Sequence, residues 1–156
     1  MLTFEVVDSA EHLLIPTVRE LFEEYWAELE ADVCFQGFAG ELAGLPGKYA
    51  PPRGVLVVVL DGDSAVACGA LREMDQTTCE LKRIFVRPSH RGIGLGRRIT
   101  LDLMDRARHT GYKTVRLDTM RKLGVAQSLY KSLGFKEIEA YYDEPSVEIV
   151  FFEMPL

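Results

Sequence analysis

Three glycines at alternate positions, Gly92, Gly94 and Gly96, stand between a β-like run closed by Pro88 and an amphipathic pattern that begins at Leu95. The segment Arg91-Gly92-Ile93-Gly94-Leu95-Gly96-Arg97 therefore joins a strand to the first turn of a helix. Backbone N–H groups lack partners there, and the helix dipole favours an anion. Without Cβ atoms at the three glycines, the main chain can wrap closely around two phosphate groups, and Arg91 and Arg97 can add charge. The spacing fits neither G-x-x-x-x-G-K-[ST] nor an early G-x-G-x-x-G followed by an acid about 20 residues on. Turns also need glycine, so this loop alone is a weak signal for phosphate.

The segments around the loop limit the fold. Residues 3–7 alternate as an edge strand, and Asp8 with Glu11 offers a capping-box-like helix start. From Ile15, the residues Val18, Leu21, Phe22, Tyr25 and Leu29 recur at helical spacing, which predicts a helix over 16–31. Residues 35–45 carry glycines at 37, 40 and 44 and read as a short, broken helix or a loop. Residues 54–60 and 64–74 form a hairpin through Asp61-Gly62-Asp63, and 79–87 is a third strand. A helix over 95–109 ends at Gly111, a buried strand occupies 114–119, and a short helix over 125–133 stops at Gly134. Strands over 135–141 and 147–153 close the order. The prediction is an α/β chain forming one domain over residues 1–156, with a mixed sheet of about six to seven strands flanked by about four helices.

Charge is segregated along the chain. Residues 1–80 hold 4 Lys/Arg against 15 Asp/Glu, residues 81–131 hold 13 against 3, and residues 132–156 hold 1 against 6. A cationic middle suits a small polyanion, with acidic flanks for a cationic co-substrate; solvated helix faces explain the same pattern. The net charge of -6 argues against nonspecific nucleic-acid binding. No apolar run is long enough for a membrane helix, so the expected place is the cytoplasm, with no membrane partner. Cys34, Cys68 and Cys79 read as reduced thiols, and with His12, His90 and His109 scattered, no metal is expected.

Two motifs then resemble one family. The run Ile84-Phe85-Val86-Arg87-Pro88-Ser89-His90-Arg91-Gly92-Ile93-Gly94-Leu95-Gly96 looks like the acetyl-CoA motif of the GNAT N-acetyltransferases, and Ala126-Gln127-Ser128-Leu129-Tyr130-Lys131-Ser132-Leu133-Gly134-Phe135 resembles their later motif. The resemblance implies a GNAT-type fold, acetyl-CoA as co-substrate, and transfer of an acetyl group to an amine of a small molecule or peptide. It implies cofactor contacts from Ile84, Phe85 and Val86, by main chain, and from Arg91, Gly92, Ile93, Gly94, Leu95, Gly96 and Arg97. Many members carry an Asn seven residues before the tyrosine; Leu123 stands there in this chain. GNAT proteins often dimerise, so a homodimer is compatible with the resemblance.

Acyl transfer from a thioester needs a neutral amine, a stabilised oxyanion and a protonated leaving thiolate. Tyr130 looks like the superfamily's general acid, although a tyrosine on such a helix also serves as a core aromatic. Glu80, eleven residues before Arg91, matches a catalytic glutamate of the histone-acetylating branch. In a regular strand, Glu80, Lys82, Ile84 and Val86 share one face, a register that a bulge would shift. Asp118 is the alternative base, or else a structural partner of Arg116, Arg121 or Lys82, and a water chain can replace a strong base when the amine is partly neutral, as in some members of the superfamily. Tyr25, Asp32, Gln36 and Tyr142 are candidates for the acceptor site, with Glu28, Tyr49 and Tyr141 beside them. A coenzyme A or acyl-CoA binding sensor without catalysis is the alternative to an enzyme.

Overall fold

The computed structural model describes residues 1–29, 37–143 and 148–156. Its elements are β1 (Leu2–Val6), α1 (Ile15–Leu29), α2 (Phe38–Ala43), β2 (Val55–Asp61), β3 (Ser64–Glu73), β4 (Thr78–Val86), α3 (Leu95–Thr110), β5 (Thr114–Met120), α4 (Gly124–Ser132), β6 (Lys136–Ile138) and β7 (Ile149–Pro155). One seven-stranded sheet runs in the order β1-β2-β3-β4-β5-β7-β6. Every neighbouring pair is antiparallel except β4 and β5, which α3 joins as a crossover. The α/β expectation is met, and among the described residues no helix is long and apolar enough to cross a membrane.

Each face of the sheet has its own core. The valine-rich β2 shows how: Val57 and Val59 enter one cluster with Leu95, Ile99, Leu103 and Met104 of α3, whereas Leu56 and Val58 enter another with Val18, Leu21, Phe22 and Trp26 of α1. Alternate residues point to opposite faces, so a strand buried on both sides reads as an unbroken apolar run. The α1 stripe Ile15, Val18, Leu21, Phe22, Trp26, Leu29 gives that helix one buried side. The β2–β3 hairpin closes with Asp61 opposite Ser64 and a positive φ of 62° at Gly62, as its short turn requires. At Gly69 a Cβ would come within 2.7 Å of Ile99 Cγ2, so glycine there lets α3 approach β3.

Several expectations need correction. No capping box begins α1: the Leu14 N–H donates to His12 Nδ1 at 3.1 Å, and the helix starts at Ile15, past Asp8 and Glu11. The strand expected over 135–141 covers only Lys136–Ile138, which frees Tyr141 and Tyr142 to turn back over the sheet.

The main correction concerns β4. In the first half of the strand, Cys79 and Leu81 face α3; in the second half, Ile84 and Val86 do so. The parity changes because β4 carries an extra residue: Ala70 pairs with Lys82 and Cys68 with Phe85, so one β3 residue faces two of β4. Arg83 sits at this bulge with φ 59°, a left-handed conformation that costs a non-glycine residue about 1–2 kcal/mol. Three contacts hold it. Its Nε and Nη2 donate to the Glu41 carboxylate at 2.8 and 3.0 Å, its guanidinium lies 5.1 Å from the Trp26 ring centre, and its carbonyl accepts the Cys68 thiol at 3.3 Å. Glu80 and Lys82 thus do not share a face with Ile84 and Val86.

Candidate active site

Pairing between β4 and β5 runs from Thr78↔Thr114 to Leu81↔Leu117 and goes no further. Past that point, among the described residues, the far half of β4 keeps only β3 as a strand partner. The Arg87 N–H donates to the Val66 carbonyl at 2.8 Å, so by antiparallel alternation the main chain of Val86 and Ile84 faces away from β3, toward the gap. The Val86 carbonyl there accepts the Arg91 Nε at 2.8 Å. The bulge therefore re-aims the strand: the side chains of Ile84 and Val86 fill the α3 core, while their amides open on the cleft. Phe85 turns to the opposite side and packs on Tyr25, ring centres 5.6 Å apart.

The glycine loop lies just beyond. Gly92 and Gly94 both have φ 79°, and a Cβ at either would meet nothing within 4 Å. Glycine is needed there for conformation, and the space above is open. The first bond of α3 runs from the Arg98 N–H to the Gly94 carbonyl at 3.1 Å, and the amides of Gly92, Ile93, Gly94, Leu95, Gly96 and Arg97 donate to no acceptor among the described residues. Six amides at a helix mouth, with alternate left-handed glycines, form an anion-binding nest. A pyrophosphate fits the donor set. The Leu95 side chain is buried, so that residue can contribute only main chain. Gly96 lies inside the first turn, 3.7 Å from Leu129 Cδ2 at its Cβ position. Arg97 Nη1 donates to Ser132 Oγ at 3.3 Å, and Arg91 Nη2 to Glu28 Oε2 at 2.6 Å.

Tyr130 stands on α4, 8 % exposed, with its ring against Phe135 and Phe152 at 5.7 and 6.3 Å. Burial pushes its phenol above the ordinary tyrosine value, and the charges of Tyr25 and Asp118 add to the shift. Tyr25 is likewise raised by burial, to about 12. Tyr130, Tyr25 and Asp118 are thus electrostatic neighbours at the parting of β4 and β5, and Asp118 is the first β5 residue beyond the last paired position.

A charged network fills the α1 side of the cleft. Glu80, fully buried, accepts Arg72 Nε and Nη2 at 2.9 and 2.8 Å and the Tyr141 hydroxyl at 2.5 Å. Lys82 Nζ lies 4.0 Å from Glu80 Oε1 and 3.3 Å from Asp118 Oδ1, linking both carboxylates. The Tyr142 hydroxyl donates to Asp118 Oδ2. Tyr141 is pushed far up by burial and then by the Glu80 charge. A cavity of about 240 Å³ opens beside this network, with Tyr49, Arg72, Glu80, Lys82, Arg83 and Tyr142 in its wall.

The structure thus brings together Tyr130, Asp118, Glu80, Tyr25 and Tyr142 from separate parts of the chain. Asp32, Gln36 and Cys34 lie outside the described residues. Cys68 and Cys79 are free, buried thiols that burial raises to about 12. Sequence reasoning missed Arg72, Glu41 and Arg83. Arg83 carried no signal, because nothing local marks it for a left-handed backbone; Glu41, a lone acid in a glycine-rich segment, becomes meaningful only against Arg83.

Comparison with known proteins agrees with this geometry. The acetyltransferase (GNAT) family matches residues 14–135 of the chain. An uncharacterized N-acetyltransferase from Schizosaccharomyces pombe is 36 % identical over 140 residues, covering 88 % of this chain and 86 % of that protein. Among solved structures, an acetyltransferase from Streptococcus agalactiae superposes with a TM-score of 0.82 at 22 % identity, over 99 % of this chain and 98 % of the other. A GNAT family acetyltransferase from Elizabethkingia anophelis with acetyl-CoA bound gives 0.64 at 18 % identity, over 99 % and 98 %.

Proposed function

Since the chain belongs to the GNAT acetyltransferase family and is an N-acetyltransferase, we propose that it moves an acetyl group from acetyl-CoA to a primary amine of a small molecule or peptide by direct attack, with Tyr130 as general acid. One observation carries this reading: β4 and β5 part at Leu81 and Leu117, and the cleft so opened has main-chain groups of Ile84 and Val86 on one side and the buried Tyr130 near the other. The anion nest from Gly92 to Arg97 lies at its end, which suits the diphosphate of a coenzyme whose arm runs into the gap.

Bound acetyl-CoA supplies the thioester carbonyl. The open amides of the far half of β4 can donate to its oxygen as charge develops there. A C–N bond forms to the neutral amine, the C–S bond breaks, and the Tyr130 hydroxyl gives its proton to the departing sulfur. Burial keeps that phenol protonated, so ionisation of Tyr130 limits the rate only above about pH 10, the ordinary tyrosine value. Of the two candidate bases, Asp118 is better disposed to take the amine's proton. Its side chain keeps 11 % exposure against 1 % for Glu80, and it stands at the parting of the strands; both carboxylates accept contacts, Asp118 from Lys82 and Tyr142 and Glu80 from Arg72 and Tyr141. Glu80 fixes Lys82, which in turn orients Asp118.

Binding and turnover test this directly. Acetyl-CoA at a hundredfold excess over its Kd should stabilise the fold by about 2.7 kcal/mol, a rise of roughly 5–10 °C in Tm for a chain of this length. NAD and ATP should give much less. Equal shifts with all three ligands would remove the coenzyme assignment, and free-thiol release with an amine panel reads the transfer itself.

The Arg91–Glu28 pair supports a second prediction. Both side chains are more than two-fifths exposed, so the contact is worth at most about 1 kcal/mol. Glu28→Gln should release the guanidinium toward the phosphates and tighten acetyl-CoA binding about two- to fivefold by calorimetry. An unchanged or weakened Kd would mean that Arg91 serves α1 and not the coenzyme.

A further inference from the structure

Resting on the acetyl-transfer reading above, we infer that the acceptor is an α-amino acid whose free carboxylate is received by Lys48. The cavity beside Glu80 holds about 240 Å³, below the roughly 300–1,000 Å³ of pockets for drug-sized ligands, so it suits one small molecule. Among the described residues its wall carries four cations, Lys48, Arg72, Lys82 and Arg83, and two carboxylates, Glu41 and Glu80, with Asp118 3.3 Å from the Lys82 Nζ.

The charges pair off in a definite way. Arg83 is held by Glu41, Arg72 by Glu80, and Lys82 by Asp118. Among the described residues, Lys48 alone of the four cations has neither an ion pair nor a hydrogen bond from its side chain. Counted over the described residues, the wall and Asp118 leave one positive charge unmatched, that of the exposed Lys48.

The position of Lys48 is fixed by its surroundings. It sits in a single 3-10 turn, Gly47–Tyr49, and Tyr49 is 2 % exposed with its ring 6.3 Å from Phe22. A Cβ at Gly54 would lie 2.6 Å from the Lys48 carbonyl, so the neighbouring chain is pressed against this turn. The ammonium thus projects from a pinned backbone.

These features select the acceptor. A simple alkylamine would bring a second cation toward Lys48 and leave the surplus uncompensated. An amino acid can turn its ammonium toward Asp118 and Glu80, where the proton must leave, and its carboxylate toward Lys48. A carboxylate carries one negative charge and matches the surplus; a phosphate ester at nearly two would exceed it.

The test pairs each protein α-amino acid with its α-carboxamide as acceptor for acetyl-CoA, following free-thiol release, with phosphoethanolamine included. The best free acid should exceed its amide in kcat/KM by at least about tenfold, the order of a charge-assisted contact. Lys48→Ala should bring that ratio within about threefold of unity, and Lys48→Glu should invert it. Amides reacting as well as acids, phosphoethanolamine outrunning both, or acetyl-CoA binding with no amino acid reacting would each overturn the carboxylate assignment while leaving the coenzyme site intact. A protein that neither binds acetyl-CoA nor releases thiol would overturn the underlying transfer reading instead.

Discussion

Tyr130→Phe should lower kcat by at least about a hundredfold, the lower bound for loss of a positioned general acid, while the Kd for acetyl-CoA stays within about twofold. The reasoning is geometric. The ring of Tyr130 packs on Phe135 and Phe152, and phenylalanine keeps those contacts while removing only the hydroxyl near Asp118 and Tyr25. Stability should change little, because no hydrogen bond from that hydroxyl to a described residue is lost. The informative comparison is between thioester donors. If the phenol protonates sulfur, the defect should shrink with an acyl donor whose leaving thiol is more acidic, since such a thiolate needs a proton less. Unchanged kcat, or a defect of equal size for every leaving group, would take Tyr130 out of the acid role and leave it as core.

Glu80→Ala should destabilise the fold by about 3 kcal/mol, since removing one partner of a buried charge cluster strands the others. For a chain of this length that is roughly 6–12 °C in Tm. The value sits at the low end for buried pairs because Arg72 keeps 29 % of its side chain exposed and can recover water, whereas Lys82, at 7 %, cannot. Glu80→Gln separates this structural role from a direct role in catalysis. It keeps the shape and an acceptor for Tyr141, so it should restore part of the stability. If Glu80 took the proton itself, Glu80→Gln would depress the rate most at low pH, where fewer amines are neutral; a loss of equal size at every pH fits positioning through Lys82 and Asp118. Full stability in the alanine variant would show that the network contributes nothing to folding.

Much of the architecture was legible because it rests on local rules. The stripe of α1, the unbroken apolar β2, the Gly62 turn and the helix stop at Gly111 each express a period or a backbone need contained within a few residues. The glycine loop was legible for the same reason. What escaped is nonlocal. The shift of face within β4 depends on Arg83, held by Glu41 from 42 residues away, and no pattern in Thr78–Val86 announces it. The start of α1 was placed to within one residue, at 16 against Ile15, but its cap was misread: Asp8 and Glu11 satisfy a capping template, yet the His12 ring, nearer the helix, takes the Leu14 amide. Both candidate carboxylates could be named from the sequence, but their linkage through Lys82, and the return of Tyr141 and Tyr142 onto them, come from tertiary packing.

The extra residue in β4 also divides what substitution can reach. Upstream of it, side chains line the cavity proposed for the acceptor, so under that proposal exchanges at positions 80 and 82 would reshape its wall. Downstream, Ile84 and Val86 offer only peptide groups to the cleft, and those are common to nearly every residue type. Under the proposed transfer, a lineage could diversify its acceptors on one half of a strand while the other half keeps its hold on the donor, provided the α3 side stays filled and the buried charges stay paired.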